Sequence, residues 1–169
     1  MNRPPLMVLV ALRSLISISG PSLTPDLESC YLWSQFRELE RRGVAVKMYR
    51  PSQDVGMLDA WSLDNPASAY RIIRGQPRTF GRIDTGGPGH TTRFGIWRCT
   101  SGAFECTEQG DELMTVLAGR CRLTDLGSGE THDLTVGDSL FLRDGSRVLW
   151  DVSEDVTKVF LGWKADGYS

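Results

Sequence analysis

The sequence has few of the side chains that usually build metal sites. Only two of its 169 residues are histidine and four are cysteine, and no two cysteines form a C-x-x-C pair. A structural zinc site needs three or four converging ligands, so we expect none here. Cysteines without such pairing are typical of a protein kept in a reducing compartment, and we expect a cytoplasmic protein.

The chain also lacks a surplus of either charge. Nineteen Lys and Arg residues against 21 Asp and Glu residues give a formal net charge of −2. A nucleic-acid-binding domain usually carries a clustered basic excess, so we expect no nucleic-acid partner.

Long hydrophobic runs are missing as well. The apolar run at residues 5–19 is interrupted by Arg13 and is shorter than the roughly 20 residues that span a bilayer. No small-x-small cleavage pattern follows it, as a secretory signal would require. We interpret the run as a start-site extension or a packing helix, and expect no membrane partner.

The residue pattern of the sequence changes near Met48. We therefore divide the chain into an N-terminal extension (residues 1–47) and a main domain (residues 48–169). In the extension, Leu32, Phe36 and Leu39 recur at helical spacing, which predicts a helix over about residues 24–42.

After Met48, short β-type runs are broken by Gly, Pro, Asp and Ser every eight to twelve residues, a spacing typical of a sandwich or barrel. The predicted strands cover residues 70–74, 78–83, 93–100, 104–107, 112–117, 120–126, 131–136, 139–142, 147–152 and 157–163. Gly119 and Gly137 are predicted to lie where strands turn back, with Asp138 as a turn former. No βαβ unit and no internal repeat is present.

Four segments in order resemble the small cupins grouped with the ureidoglycine aminohydrolase cupin family (DUF861). They are Gly95 to Phe104 (GIWRCTSGAF), Asp111-Glu112 with Val116 to Gly119 (VLAG), Val136 to Asp138 (VGD), and Trp150 to Lys158 (WDVSEDVTK). The resemblance implies an all-β fold, a cupin jelly-roll antiparallel β-barrel over roughly residues 65–165. It also implies a homodimer.

The same resemblance places Cys106, Glu108, Glu112 and Val148 where most cupins carry their metal ligands, which are largely histidines. Valine donates nothing, and two carboxylates with a thiol are ligands of mixed hardness. We therefore expect no metal and no other cofactor. Weak metal binding by the three polar side chains, and a metal-dependent aminohydrolase activity like that of the family's namesake, remain alternatives.

The two carboxylates suggest a different chemistry. If Glu108 and Glu112 both enter an apolar barrel, desolvation and mutual repulsion raise the pKa of one of them, as proton transfer requires. Glu112 is favoured because an apolar strand surrounds it. The alternative for Glu108, beside Gln109 and Gly110, is an idle position at a solvated rim.

Further side chains are candidates for substrate binding, each with a plainer alternative. The tryptophans could line a ligand pocket or pack in the core, the arginines could bind an anion or lie on the surface, and the histidine could cover the barrel or lie in an exposed loop. The cysteine is more simply a buried apolar group than a nucleophile. These candidates are Trp97, Trp150, Cys106, Arg98, Arg147 and His90.

These observations favour a metal-independent cupin that binds a small organic metabolite and acts as a non-redox lyase, isomerase or cyclase. The alternative is a cupin that binds a ligand without catalysis. Nothing in the sequence names the substrate.

Overall fold

A computed structural model describes residues 47–169 of the chain. The predicted helix at residues 24–42 lies outside the described residues. Within them, nine β-strands and one short 3-10 helix (Pro66–Ser68) follow one another. The strands are β1 (Asp59–Trp61), β2 (Arg71–Gly75), β3 (Thr79–Gly86), β4 (Thr92–Cys99), β5 (Gly102–Thr107), β6 (Asp111–Asp125), β7 (Thr131–Leu134), β8 (Ser139–Leu142) and β9 (Arg147–Trp163). No helix in this part of the chain is long and apolar enough to cross a bilayer.

All nine strands pair antiparallel in one curled sheet, with the order β1-β3-β4-β9-β5-β2 and with β6 paired to β7, β8 and β9. Strand β9 is the centre of this arrangement. Its first half pairs with β5, its second half pairs with β4, and β6 follows it along almost its whole length. One strand that serves three neighbours makes the sheet curl upon itself, and the predicted all-β barrel is confirmed.

A predicted turn and a predicted strand break are wrong. The sequence predicted a turn at Gly119, but this glycine lies inside β6, at an irregularity in the pairing with β9. Its φ is +77°, and a Cβ added there would lie 2.0 Å from the carbonyl oxygen of Asp155. The glycine therefore bends a continuous strand. Strand β9 likewise runs through residues 153–156, where the sequence predicted a break, because β6 stays paired with it across the bend.

At Gly137 the sequence predicted that the chain turns back, and the structure has only a local turn. Strands β7 and β8 both pair antiparallel with β6, so the chain keeps its direction through this turn. Gly137 has a φ of +95° and lies between β7 and β8. The carboxylate of Asp138 accepts a hydrogen bond of 2.7 Å from the backbone N–H of Thr135, so the side chain closes the turn as predicted.

Alternation along the long strands decides which side chains enter the barrel. On β6, Glu112, Met114 and Val116 are buried, while the intervening Leu113 is exposed. On β9, Val148, Trp150 and Val152 are buried, and the same holds after the bend for Val156, Lys158 and Phe160. Two charged residues, Glu112 and Lys158, thus occupy inward positions among apolar neighbours.

Candidate functional site

A cavity of about 100 Å³ opens inside the barrel. Its wall is mostly aromatic, built from Trp61, Tyr70, Trp97, Phe104, Trp150 and Phe160. Five polar side chains face the same space, namely Arg93, Cys106, Glu108, Glu112 and Lys158. An apolar cavity with a few converging polar groups is the usual form of a small-molecule site.

The strongest polar contact in the cavity joins two strands. The ammonium Nζ of Lys158 on β9 donates to the Oε1 atom of Glu112 on β6 at 2.5 Å, and both side chains are almost fully buried. The ammonium also lies 4.6 Å from the ring centroid of Trp150 and 4.9 Å from that of Trp97. Aromatic faces stabilise a cation at such distances.

Lys158 was not among the residues that the sequence predicted for the site. A signal for it was present, because Lys158 shares the inward alternation of Val156 and Phe160 on β9. In the sequence, the lysine stands at the end of the segment Trp150 to Lys158, whose evident feature is its resemblance to a cupin family.

Arg93 on β4 is a second cation at the cavity. Its Nη2 atom lies 3.7 Å from Oε2 of Glu112, beyond hydrogen-bonding distance, and donates a long bond of 3.4 Å to the carbonyl oxygen of Gln109. The guanidinium carbon lies 4.3 Å from the ring centroid of Tyr168. Its Nε atom is buried and has no hydrogen-bond partner among residues 47–169.

Glu108 follows β5 and has a different environment from Glu112. Its Oε1 atom accepts a hydrogen bond of 3.1 Å from the indole Nε1 of Trp150 and one of 3.6 Å from the thiol of Cys106. Burial, followed by the charge of Glu112, raises the pKa of Glu108 above its ordinary value. The residue is half-buried and lines the cavity.

Cys106 lies on β5, directly across from Val148 on β9. Burial raises the pKa of this thiol, and the nearby charge of Glu108 adds to the effect. A thiol that resists ionisation is a poor nucleophile. Its role in the structure is to donate a hydrogen bond to Glu108.

The three polar positions that the resemblance assigned to a cupin metal site do come together, but their side chains do not fit a metal ion. Glu112 is engaged by Lys158, and Glu108 accepts hydrogen bonds from Trp150 and Cys106. Within residues 47–169, no three His, Cys, Asp or Glu side chains are arranged to hold a metal ion. The positive charge beside these carboxylates belongs to the lysine.

The remaining predicted binding residues fall into two groups. Trp97 and Trp150 line the cavity, with their ring centroids 5.4 Å apart. The structure does not bring Arg98, Arg147 or His90 to it, since all three are exposed. Because side chains alternate along a strand, Arg98 points away from the face that its neighbour Trp97 shares with the cavity.

The two exposed arginines have carboxylate partners outside the cavity. Arg98 lies 3.3 Å from Asp155, and Arg147 lies 3.8 Å from Glu105. His90 belongs to the loop between β3 and β4, where its backbone N–H donates to the carbonyl oxygen of Gly87 at 2.9 Å.

Comparison with known proteins agrees with this architecture. Residues 86–160 match the family described as the EutQ-like cupin domain. A solved structure of a DUF861-family protein of unknown function from Pseudomonas syringae pv. tomato has a TM-score of 0.51 and 23% identity. The alignment covers 63% of this chain and 44% of that one, so this chain spans less than half the length of that protein.

Two solved structures of proteins described as EutQ are also similar. The match to the EutQ protein of Clostridium difficile has a TM-score of 0.47 and 17% identity, and covers 64% of this chain and 78% of that one. The match to a putative EutQ from Salmonella typhimurium has a TM-score of 0.44 and 22% identity, and covers 54% and 72%. No curated protein matches the chain. The comparisons confirm the predicted family resemblance and the cupin fold.

Proposed function

We propose that this chain, which carries a EutQ-like cupin domain, binds a small organic metabolite in its barrel and moves a proton on it without redox chemistry. Such a step belongs to a lyase, isomerase or cyclase. One observation carries the proposal: two carboxylates, those of Glu108 and Glu112, face one cavity in opposite electrostatic environments.

The difference between the two carboxylates comes from their partners. Glu112 is paired with the ammonium of Lys158 at 2.5 Å, with the guanidinium of Arg93 at 3.7 Å. Glu108 receives hydrogen bonds only from an indole and a thiol among the described residues, and burial beside the charge of Glu112 raises its pKa. A pair of titratable groups whose environments separate their pKa values is the usual arrangement for acid–base catalysis.

These environments assign different roles to the two residues. Glu108 is the group that exchanges a proton with the substrate: its ionised form takes the proton from the substrate carbon, and the carboxyl that results returns it. A raised pKa makes this carboxylate a stronger base than an ordinary glutamate. Glu112 keeps Lys158 in place and helps to set the pKa of Glu108. The ammonium of Lys158 at the cavity wall supplies a preorganised positive charge for a substrate oxygen that becomes negative as a proton leaves carbon.

The proposal is tested by proton exchange, which requires no knowledge of the natural reaction. Small metabolites with acidic C–H bonds are incubated with the protein in D2O, and loss of the C–H signal is followed by NMR. We expect catalysed exchange with the wild type and a decrease of about 10²- to 10⁴-fold with Glu108→Gln.

Glu105→Gln is the matched control. Glu105 lies on the same strand as Cys106, but it points to the other face and binds Arg71 at 2.5 Å. Its replacement leaves exchange unchanged. Exchange that persists at the wild-type rate in Glu108→Gln contradicts the acid–base role.

A second candidate function is ligand binding without chemistry, which the aromatic lining of the cavity also supports. In that case a ligand raises the melting temperature by mass action and is recovered unchanged. The metal-dependent aminohydrolase alternative has no such support, because the side chains at the metal positions are already engaged.

We also propose that the protein forms a homodimer. A row of half-exposed apolar side chains crosses three strands on the outer face of the sheet, where Phe141, Leu113 and Leu161 are direct neighbours. Burying such a row against a second copy removes apolar surface from water. Sedimentation that shows only monomer at micromolar concentration contradicts the dimer, and Leu113→Lys is expected to weaken it.

A cytoplasmic location is part of the same proposal. The cysteines of the described region, Cys99, Cys106 and Cys121, are all free, as in a reducing compartment. Fractionation of cells that express the full chain tests this location.

A further inference from the structure

The guanidinium of Arg93 has few partners for a charged group that lines a cavity. An arginine carries five N–H donors in a planar fork. Within the described part of the chain, its hydrogen bonds amount to one long bond to the carbonyl oxygen of Gln109, and the buried Nε has none. Glu112, the nearest carboxylate partner, is 3.7 Å away and gives its Oε1 atom to Lys158.

The charges around the cavity leave a positive surplus. Lys158 and Arg93 are cationic, and Glu112 neutralises one of them. Glu108 does not neutralise the other while it is protonated, and its burial favours that form. A ligand with a single negative charge would balance the site.

The size of the cavity limits the ligand. An engineered cavity of about 150 Å³ takes up one benzene molecule, which has six non-hydrogen atoms. The cavity here is about 100 Å³. The part of a ligand that is enclosed by the barrel therefore has about six non-hydrogen atoms or fewer, on the same scale.

We propose that the cavity binds a small monocarboxylate, with the carboxylate against Arg93 and the rest of the molecule among the tryptophans near Glu108. The planar fork of arginine matches a carboxylate, whereas the ammonium of Lys158 is already bound to Glu112. The inference rests on the proposed function for the fate of the ligand, since it places a carbon atom of the acid near the proton of Glu108.

The binding experiment uses pairs of molecules that differ only in charge. Acetate, propionate and lactate are compared with acetamide, propionamide and lactamide by NMR titration and thermal shift on the full chain. We expect each acid to bind about ten- to a hundredfold more tightly than its amide, as a hydrogen bond to a charged group implies. Benzoate, which exceeds the cavity, is expected not to bind.

Variants of two arginines on β4 show whether the acids bind in the cavity, at Arg93, or on the surface, at Arg98. Arg93→Gln is expected to lose the preference for acids, while Arg98→Gln retains it, because Arg98 lies on the exposed face and pairs with Asp155. Arg93→Lys keeps the charge and loses the fork, and we expect weaker binding of the acids with a melting temperature close to that of the wild type. This second variant decides the matter if Arg93→Gln does not fold.

Three results overturn the inference: amides that bind as tightly as acids, acid binding unaffected in Arg93→Lys or Arg93→Gln, or no binding of any acid. The exchange experiment in D2O distinguishes this failure from that of the proposed function. An acid that binds without proton exchange upholds the inference and contradicts the acid–base role. Proton exchange that is catalysed only on uncharged molecules supports the acid–base role and contradicts the carboxylate inference.

Discussion

Lys158 and Glu112 form an ion pair inside the barrel, with 2.5 Å between Nζ and Oε1 and about 5% of each side chain exposed. The pair links β6 to β9, the two longest strands. Removing one partner of a buried pair leaves the other charge without compensation. We therefore predict that Glu112→Gln and Lys158→Met each lower the free energy of unfolding by about 3–5 kcal/mol.

Urea unfolding measures this effect, and the double variant Glu112→Gln with Lys158→Met should lose less than the sum of the two single losses. Arg122 and Asp133 provide the comparison, since this pair has a similar distance of 2.7 Å but is exposed. Asp133→Asn is expected to change stability little. If the variants of both pairs lost the same free energy of unfolding, burial would not be the cause of the loss at Lys158 and Glu112.

Glu108 should make stability depend on pH. Its pKa is raised in the folded protein above the ordinary value of 4.5, so the folded state binds more protons than the unfolded state in the interval between the two values. The free energy of unfolding therefore falls as pH rises above 4.5 toward the raised pKa, and levels off beyond it.

We predict that the wild type loses stability relative to Glu108→Gln across this interval, because glutamine has no proton to release. Urea unfolding of both proteins at successive pH values between about 4 and 8 gives the difference, since that interval brackets a raised glutamate pKa. Parallel curves for the two proteins would mean that Glu108 ionises as easily in the barrel as in water.

A comparison of Gly119 with Gly129 distinguishes the cost of a positive φ angle from the cost of a steric clash with an added Cβ. Their φ angles are +77° and +78°, but a Cβ at Gly119 would lie 2.0 Å from a backbone oxygen, whereas a Cβ at Gly129 would meet no atom within 4 Å. We predict that Gly129→Ala lowers the free energy of unfolding by about 1–2 kcal/mol, from the left-handed backbone alone. Gly119→Ala should lower it by clearly more, and denaturant unfolding of the two variants tests the ranking.

The side chains at the cupin metal positions predict a protein with little bound metal. The carboxylate of Glu112 is hydrogen-bonded to Lys158, and the remaining ligands bind first-row metal ions poorly. We therefore expect less than about one-tenth equivalent of Fe, Mn, Zn or Ni per chain after purification. Elemental analysis gives the content, and chelator treatment should leave the melting temperature unchanged. One metal per chain, or activity lost to a chelator and restored by one ion, would contradict this.

The sequence alone was enough to predict the fold, because Gly, Pro and Asp punctuate runs of β-type residues and four segments resemble a known barrel family. The resemblance also predicted that Cys106, Glu108 and Glu112 lie together, although Cys106 is on β5 and Glu112 is on β6. The local turn at Gly137 could be predicted because it depends on neighbouring residues alone, namely a glycine with a positive φ angle and the side chain of Asp138.

Other features depend on strands that are distant in the sequence. Gly119 looks like a turn until β9 is seen to keep pairing past it, so that the same glycine bends a continuous strand. Arg98 and Trp97 are neighbours in the chain, but only the tryptophan reaches the cavity. The partner of Glu112 lies 46 residues away at Lys158, and no local pattern connects them. Such contacts form only when the sheet curls, and the register of the long strands decides which side chains meet. For this reason only the tertiary structure showed which charged side chains lie together in the cavity.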